Sequence, residues 1–140
     1  MAKTGPIIVV EDDEDDVLFL TDTLNQQAVP NKLIWFSNAA EALDYLLNTQ
    51  DKPFFILCDV NLPLRNGLEF KRDLDTDPFL RKKSIPFIFY STSVEQRFID
   101  AAYSEMSVQG FFQKGYDFKE IFTAIKIIMD YWALCKHPNS

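Results

Sequence analysis

Residues 54–63 read Phe-Phe-Ile-Leu-Cys-Asp-Val-Asn-Leu-Pro. Five apolar residues without a polar residue between them describe a strand covered on both faces, not one with a solvated side. The run stops on a carboxylate, Asp59, and Pro63 soon bars any further ladder. Working outward, the same pattern recurs at Ile7 to Val10, Leu33 to Phe36, Pro86 to Tyr90 and Gly110 to Phe112. Between these runs the spacing turns helical. Val17, Leu20, Thr21, Leu24 and Ala28 form one stripe, closed by Pro30, and Ala39, Ala42, Leu43, Leu46 and Leu47 form a second, with Asn38 placed as a cap. A weaker third segment covers 67–76. Val94, Phe98, Ala101, Ala102 and Glu105 make a fourth, and Phe118, Ile121, Phe122, Ile125, Met129 and Trp132 a long fifth. The connection 77–84, Asp-Pro-Phe-Leu-Arg-Lys-Lys-Ser, reads as an exposed basic loop. Five β and five α segments in alternation predict a parallel, doubly wound α/β sheet, because parallel neighbours require right-handed crossovers.

The chain has 140 residues, room for one domain, expected over 1–135 with a polar tail at 136–140. Fourteen basic against 21 acidic residues leave a net charge of −7, which argues against nucleic acid and anionic membrane as partners. No apolar run is long enough to span a bilayer, and no leader-like segment opens the chain. Two cysteines, Cys58 and Cys135, are too few for a disulfide framework and lack zinc-ligand spacing, so a cytoplasmic setting is expected. Cys58 reads as a small buried hydrophobe. His137, the one histidine, falls in the tail and is expected to have no partner.

In open parallel sheets function gathers at the carboxyl ends of strands, near the point where strand order reverses. The first strand ends in Glu11 and Asp12, the third in Asp59, the fourth in Ser91 and the fifth, after Gln113, in Lys114. With strand order 2-1-3-4-5 the first and third strands are neighbours, and Glu11, Asp12 and Asp59 converge. Three such carboxylates repel one another unless a cation sits among them, and Mg2+ suits an all-oxygen site. An acid pair, a lone Asp, a hydroxyl and an ammonium at four strand ends are the parts needed to place a phosphoryl group on a carboxylate. The run Asp13 to Asp16 is expected to be a solvated helix start, since anions favour a helix N-terminus. It lacks the Gly and distant Glu of a calcium loop.

These residues resemble the response-regulator receiver domains of two-component signalling. The resemblance rests on Val-Val-Glu-Asp-Asp at 9–13, Cys-Asp-Val-Asn-Leu-Pro at 58–63 with Gly67 following, Tyr-Ser-Thr-Ser at 90–93 and Gly-Phe-Phe-Gln-Lys at 110–114. Asn-Leu-Pro after Asp59, the longer Asp-Pro-Phe-Leu segment and the Ser-Thr-Ser end are similar to single-domain receivers that partner phytochrome-type histidine kinases. The resemblance implies a flavodoxin-like (βα)5 fold. It makes Asp59 the phosphoacceptor and Glu11, Asp12, Asp59 and the Asn61 backbone carbonyl the Mg2+ ligands. Ser91 and Lys114 would bind phosphoryl oxygens, and Ser91 and Phe111 would form the switch. The chain departs from the family in having Gly115 after Lys114 where Pro is usual, and Phe111 where Tyr is frequent. A cis bond before a non-proline costs about 2.5–4 kcal/mol, which favours a trans bond and a more mobile loop.

The implied function is a stand-alone phospho-receiver, not a turnover enzyme, that takes a phosphoryl group from a sensor histidine kinase and signals through the surface of its fourth and fifth helical segments. Two readings compete: a magnesium-dependent aspartyl-phosphate phosphatase of haloacid-dehalogenase type, and an interaction module that is never phosphorylated. The phosphatase needs an acid two residues after its nucleophile, where this chain has Asn61. Beyond its core stripe the fifth segment carries Ala124, Ile127, Ile128, Tyr131, Leu134 and Cys135, a second apolar face that predicts a homodimer, with Trp132 also a candidate for it. With only a short tail after that segment, output is expected to be by contact.

Overall fold

The computed structural model describes residues 2–139. After a 3-10 turn at Ala2–Thr4, the elements run β1 (Ile7–Val10), α1 (Glu14–Gln26), β2 (Leu33–Phe36), α2 (Ala39–Asn48), β3 (Phe55–Cys58), α3 (Gly67–Thr76), α4 (Pro78–Lys83), β4 (Phe87–Ser91), α5 (Gln96–Glu105), β5 (Gly110–Gln113) and α6 (Phe118–Leu134). The five strands are all parallel, in the order β2-β1-β3-β4-β5. This is the doubly wound parallel α/β fold that the alternation predicts, with the flavodoxin-like topology that the family resemblance implies.

Successive strand side chains point to opposite faces, so a continuous apolar run feeds two cores at once. Ile8, Val10, Ile56, Cys58, Phe87 and Phe89 face α2, α3, α4 and α5. Ile7, Val9, Phe55, Leu57, Ile88 and Tyr90 face α1 and α6. The helices begin where capping side chains stand. Asp13, Asn38 and Asp117 each accept a hydrogen bond from a first-turn N–H of α1, α2 and α6. Asn66 and Glu69 make a reciprocal capping box that starts the weakly patterned α3.

The basic connection is not a loop. Asp77 ends α3 and caps α4, its carboxylate accepting from Phe79 and Leu80 N–H at 2.9 and 3.1 Å, while Pro78 takes the first helical position and Leu80 is buried. An N-cap Asp followed by Pro is a helix-start signal that outweighs the run of charge. His137 is also corrected. It is buried, with Nε2–H donating to the Phe54 carbonyl at 2.6 Å and Nδ1 accepting from the Asn139 N–H at 3.0 Å. Along α6, Ile121, Ile125, Ile128 and Trp132 are buried, so Ile128 and Trp132 belong to the core and not to an outer apolar face. Ile127, Tyr131 and Leu134 remain exposed.

Candidate functional site

The carboxyl edge of the sheet is where strand pairing delivers the predicted residues. The Glu11 N–H donates to the Phe36 carbonyl and the Asp59 N–H to the Val10 carbonyl, at 3.0 Å each. The Lys114 N–H donates to the Ser91 carbonyl at 2.9 Å. Glu11, Asp59 and Lys114 are thus each held by the ladder of a neighbouring strand. Behind Asp59 the chain turns tightly, and the Gly67 N–H donates to the Val60 carbonyl at 2.9 Å. A Cβ on Gly67 would stand 2.1 Å from the Asp59 carbonyl oxygen, so only glycine lets α3 start this close to the Asp59 turn.

Glu11, Asp12 and Asp59 each offer a carboxylate oxygen, and these oxygens lie within 4.8 Å of one another. Glu11 and Asp59 are buried and Asp12 is exposed. Asp59 is held at both oxygens. Oδ1 accepts from the Ser91 hydroxyl at 2.6 Å and the Asn61 N–H at 3.1 Å, and Oδ2 pairs with Lys114 Nζ at 2.8 Å. Ser93 N–H donates to Ser91 Oγ at 3.1 Å, and the Asn61 amide reaches Ser93 Oγ. Asn61, the residue two after Asp59, therefore presents an amide at the mouth and no exchangeable acid.

Lys114 is the hub. Its ammonium lies 2.5 Å from Glu11 Oε2 and 2.7 Å from Asp16 Oδ2, besides its contact with Asp59. Asp16, expected to be a solvated helix-start charge, is therefore part of the site. Its partner lies 98 residues away, and no local pattern signals it. Burial pushes the Glu11 carboxyl up to about 8, with the charge of Asp59 adding and Lys114 opposing. Burial also acts upward on Asp59, but the hydrogen bonds from Lys114 and Ser91 outweigh it and hold that carboxyl below its ordinary value. On Lys114 burial acts downward, and the three carboxylates outweigh it, so the ammonium stays charged. A cavity of about 20 Å3, the space of about one water, opens between Glu11, Asp16, Asp59, Tyr90, Lys114 and Gly115.

No cis peptide occurs among the described residues, so Lys114–Gly115 is trans. The loop it opens is packed. The Tyr116 N–H donates to Glu120 Oε2 at 2.6 Å, and a Cβ on Gly115 would meet the Glu120 Cβ at 2.3 Å. Phe111 is half-buried, 5.4 Å from Phe89 between ring centres, and its N–H donates to the Tyr103 hydroxyl at 3.1 Å.

A doubly wound sheet that gathers an acid pair, a third carboxylate, a hydroxyl and an ammonium at its carboxyl edge has the architecture of a signalling receiver domain. The response regulator receiver domain family matches residues 7–126, and the chain belongs to it. It is 26% identical over 131 residues to response regulator Rcp1 of Synechocystis sp. (strain ATCC 27184 / PCC 6803 / Kazusa), covering 90% of this chain and 87% of that one. The phosphorylated cyanobacterial phytochrome response regulator RcpA superposes with a TM-score of 0.85 at 27% identity, over 95% of this chain and 97% of that one. The bacteriophytochrome response regulator RtBRR gives 0.72 at 31% identity, over 95% and 82%. The Mn(2+)-bound form of Rcp1 shares the fold, with a TM-score of 0.80 at 24% identity over 94% and 96%.

Proposed function

We propose that the chain is a stand-alone phospho-receiver that accepts a phosphoryl group from a histidine kinase onto Asp59 in a magnesium-dependent reaction. The observation that carries this reading is that Ser91 and Lys114 both already grip the carboxylate of Asp59, beside Glu11 and Asp12. The donor set fits a hard divalent ion, since all three side chains supply oxygen and two are buried. Glu11, Asp12, Asp59 and the Asn61 carbonyl would hold Mg2+, which supplies charge neutralisation for the incoming phosphoryl oxygens. An Asp59 oxygen forms the new bond to phosphorus as the bond to the donor nitrogen breaks. Ser91 and Lys114 then pass from the Asp59 oxygens to the phosphoryl oxygens, so the donors that steady the free carboxylate steady the acyl phosphate. Asn61 cannot take a proton from an attacking water, which sets this chain apart from a phosphatase with rapid turnover.

The likeness to phytochrome response regulators supports a phytochrome-type sensor kinase as the donor. The two free cysteines suit a cytoplasmic setting. The exposed Ile127, Tyr131 and Leu134 on α6 support a second copy of the chain as a further partner. No helix among the described residues is long and apolar enough to cross a membrane.

Acetyl phosphate with magnesium, followed by intact mass, tests the central reading. A single phosphoryl adduct is expected in the parent chain, none in Asp59→Asn and none without the metal. Phosphate mapped to another residue removes Asp59 from its role. Release of inorganic phosphate over many turnovers restores the phosphatase, and a parent that stays unmodified leaves the interaction module.

A further inference from the structure

The Lys114 side chain rests on three carboxylates, of which a bound cation would claim two. Its ammonium contacts Glu11 Oε2 at 2.5 Å and Asp59 Oδ2 at 2.8 Å, and both residues belong to the candidate metal set. Asp16 Oδ2, at 2.7 Å, stands outside that set. A cation entering between Glu11 and Asp59 repels the ammonium and takes its acceptors, so Lys114 must give up Glu11. Asp16 offers a place that the ion does not need. The loop leaves that movement to the side chain, because the Lys114 N–H is tied to the Ser91 carbonyl and the next residues are packed against Glu120 and the buried Tyr90. The rotatable lysine stem, rather than the tied backbone, supplies the movement.

We infer that Asp16 is a positioning residue, the berth that holds the Lys114 ammonium when a divalent cation displaces it from Glu11. Asp16 lies in the first turn of α1, where a carboxylate also meets the positive end of the helix. That effect accounts for an acid there, but not for a contact with a side chain 98 positions away. Through this contact α1 and the loop after β5 act on one charge. Lys114 neither drifts into solvent nor competes without limit for the cation's oxygens, and it stays within reach of whatever Asp59 carries.

The inference rests on the metal reading above, and the same titration separates the two. Magnesium chloride alone is titrated into the full chain while backbone amide shifts are followed by NMR. The parent, Asp12→Asn, Asp16→Asn, Asp16→Glu, Lys114→Gln and the Asp16→Asn/Lys114→Gln pair are compared. Asp16→Asn is expected to weaken magnesium binding about three- to tenfold, the scale of one partly buried ion pair. Asp16→Glu restores binding to within about twofold, whereas a loss confined to helix-end electrostatics would be restored without any dependence on Lys114. In the Lys114→Gln background Asp16→Asn is expected to have almost no effect, because no ammonium needs a berth. An unchanged affinity in Asp16→Asn overturns the inference. So does an equal loss with and without Lys114, which would make Asp16 a partner of the ion itself. If Asp12→Asn binds magnesium as well as the parent, the metal reading fails instead.

Discussion

Burying Glu11 and Asp59 beside each other sets two carboxylates against one dielectric, and Lys114 offsets only part of the repulsion. The Glu11 carboxyl rises to about 8, so near neutral pH a proton competes with any cation there. Magnesium affinity is expected to climb, by at most about tenfold per unit, from pH 6 to about 8 and then level off. A flat profile in a calorimetric titration refutes the competition. Stability without metal follows the same sign. Unfolded Glu11 titrates near its ordinary 4.5, so from there to about 8 the folded chain holds a proton that the unfolded chain lacks. Its contribution therefore falls as pH rises across that window. Asp59, held below its ordinary value, contributes in the opposite sense, and its share is lost as pH falls into the acid range. Urea melts of the parent and Glu11→Gln should accordingly diverge with rising pH, the variant gaining relative stability. Gly67 makes a second test of this scale. A methyl there strikes the Asp59 carbonyl oxygen, a backbone atom and not the end of a flexible side chain. Gly67→Ala is expected to cost about 1–3 kcal/mol in a urea melt, and an unaltered midpoint would mean that the turn has slack.

At the scale of elements, α5, β5 and the Ser91 end of β4 form a connected unit. The Phe111 N–H is bonded to Tyr103 on α5, the Phe111 ring packs on Phe89 of β4, and Ser91 is bonded to the carboxylate of Asp59. The acyl phosphate would carry roughly −1.5 to −2 charges in place of the single charge of the Asp59 carboxylate, and its oxygens give Ser91 a stronger acceptor. Ser91 is expected to shift inward and Phe111 to turn toward the vacated space. Such a change alters the surface formed by α5, β5 and α6. Amide exchange with a stable phosphate mimic and magnesium should differ there from the metal-free chain, while exchange in the α2 region stays the same. Equal exchange in both states would remove the switch. Phe111 carries no hydroxyl, so its turn is driven by packing alone.

For the molecule as a whole, the outer face of α6 is an apolar surface left uncovered by the core. Core packing takes Ile121, Ile125, Ile128 and Trp132, and leaves Ile127, Tyr131 and Leu134 54%, 53% and 91% exposed. Ile127, Tyr131 and Leu134 follow the spacing of one helix face, and a helix that meets its own copy about a two-fold axis buries such a stripe twice. Each side chain removed from water contributes roughly 1.5–3 kcal/mol, against which ordering and association costs weigh heavily. A reversible dimer is expected in sedimentation, reduced to monomer by Ile127→Asp with Tyr131→Asp. A parent that is monomeric at tens of micromolar refutes it, and a dimer that survives the double substitution places the interface elsewhere.

Unbroken apolar runs ending in Asp59, Glu11-Asp12, Ser91 and Lys114 determined the two-faced sheet and most of the site, because a parallel sheet brings the ends of neighbouring strands together whatever their separation in sequence. Helix α4 was legible in its Asp-Pro start, and charge hid it. What only the tertiary structure decided are the partners of long or late side chains. Lys114 finds Asp16 on a helix 98 positions earlier, and His137 finds the Phe54 carbonyl 83 positions earlier. On α6, Ile128 and Trp132 turn inward while Ile127 and Tyr131 turn out. Periodicity marks which face of an element is apolar, but a salt bridge or a buried imidazole depends on distances across the fold, which no local pattern carries.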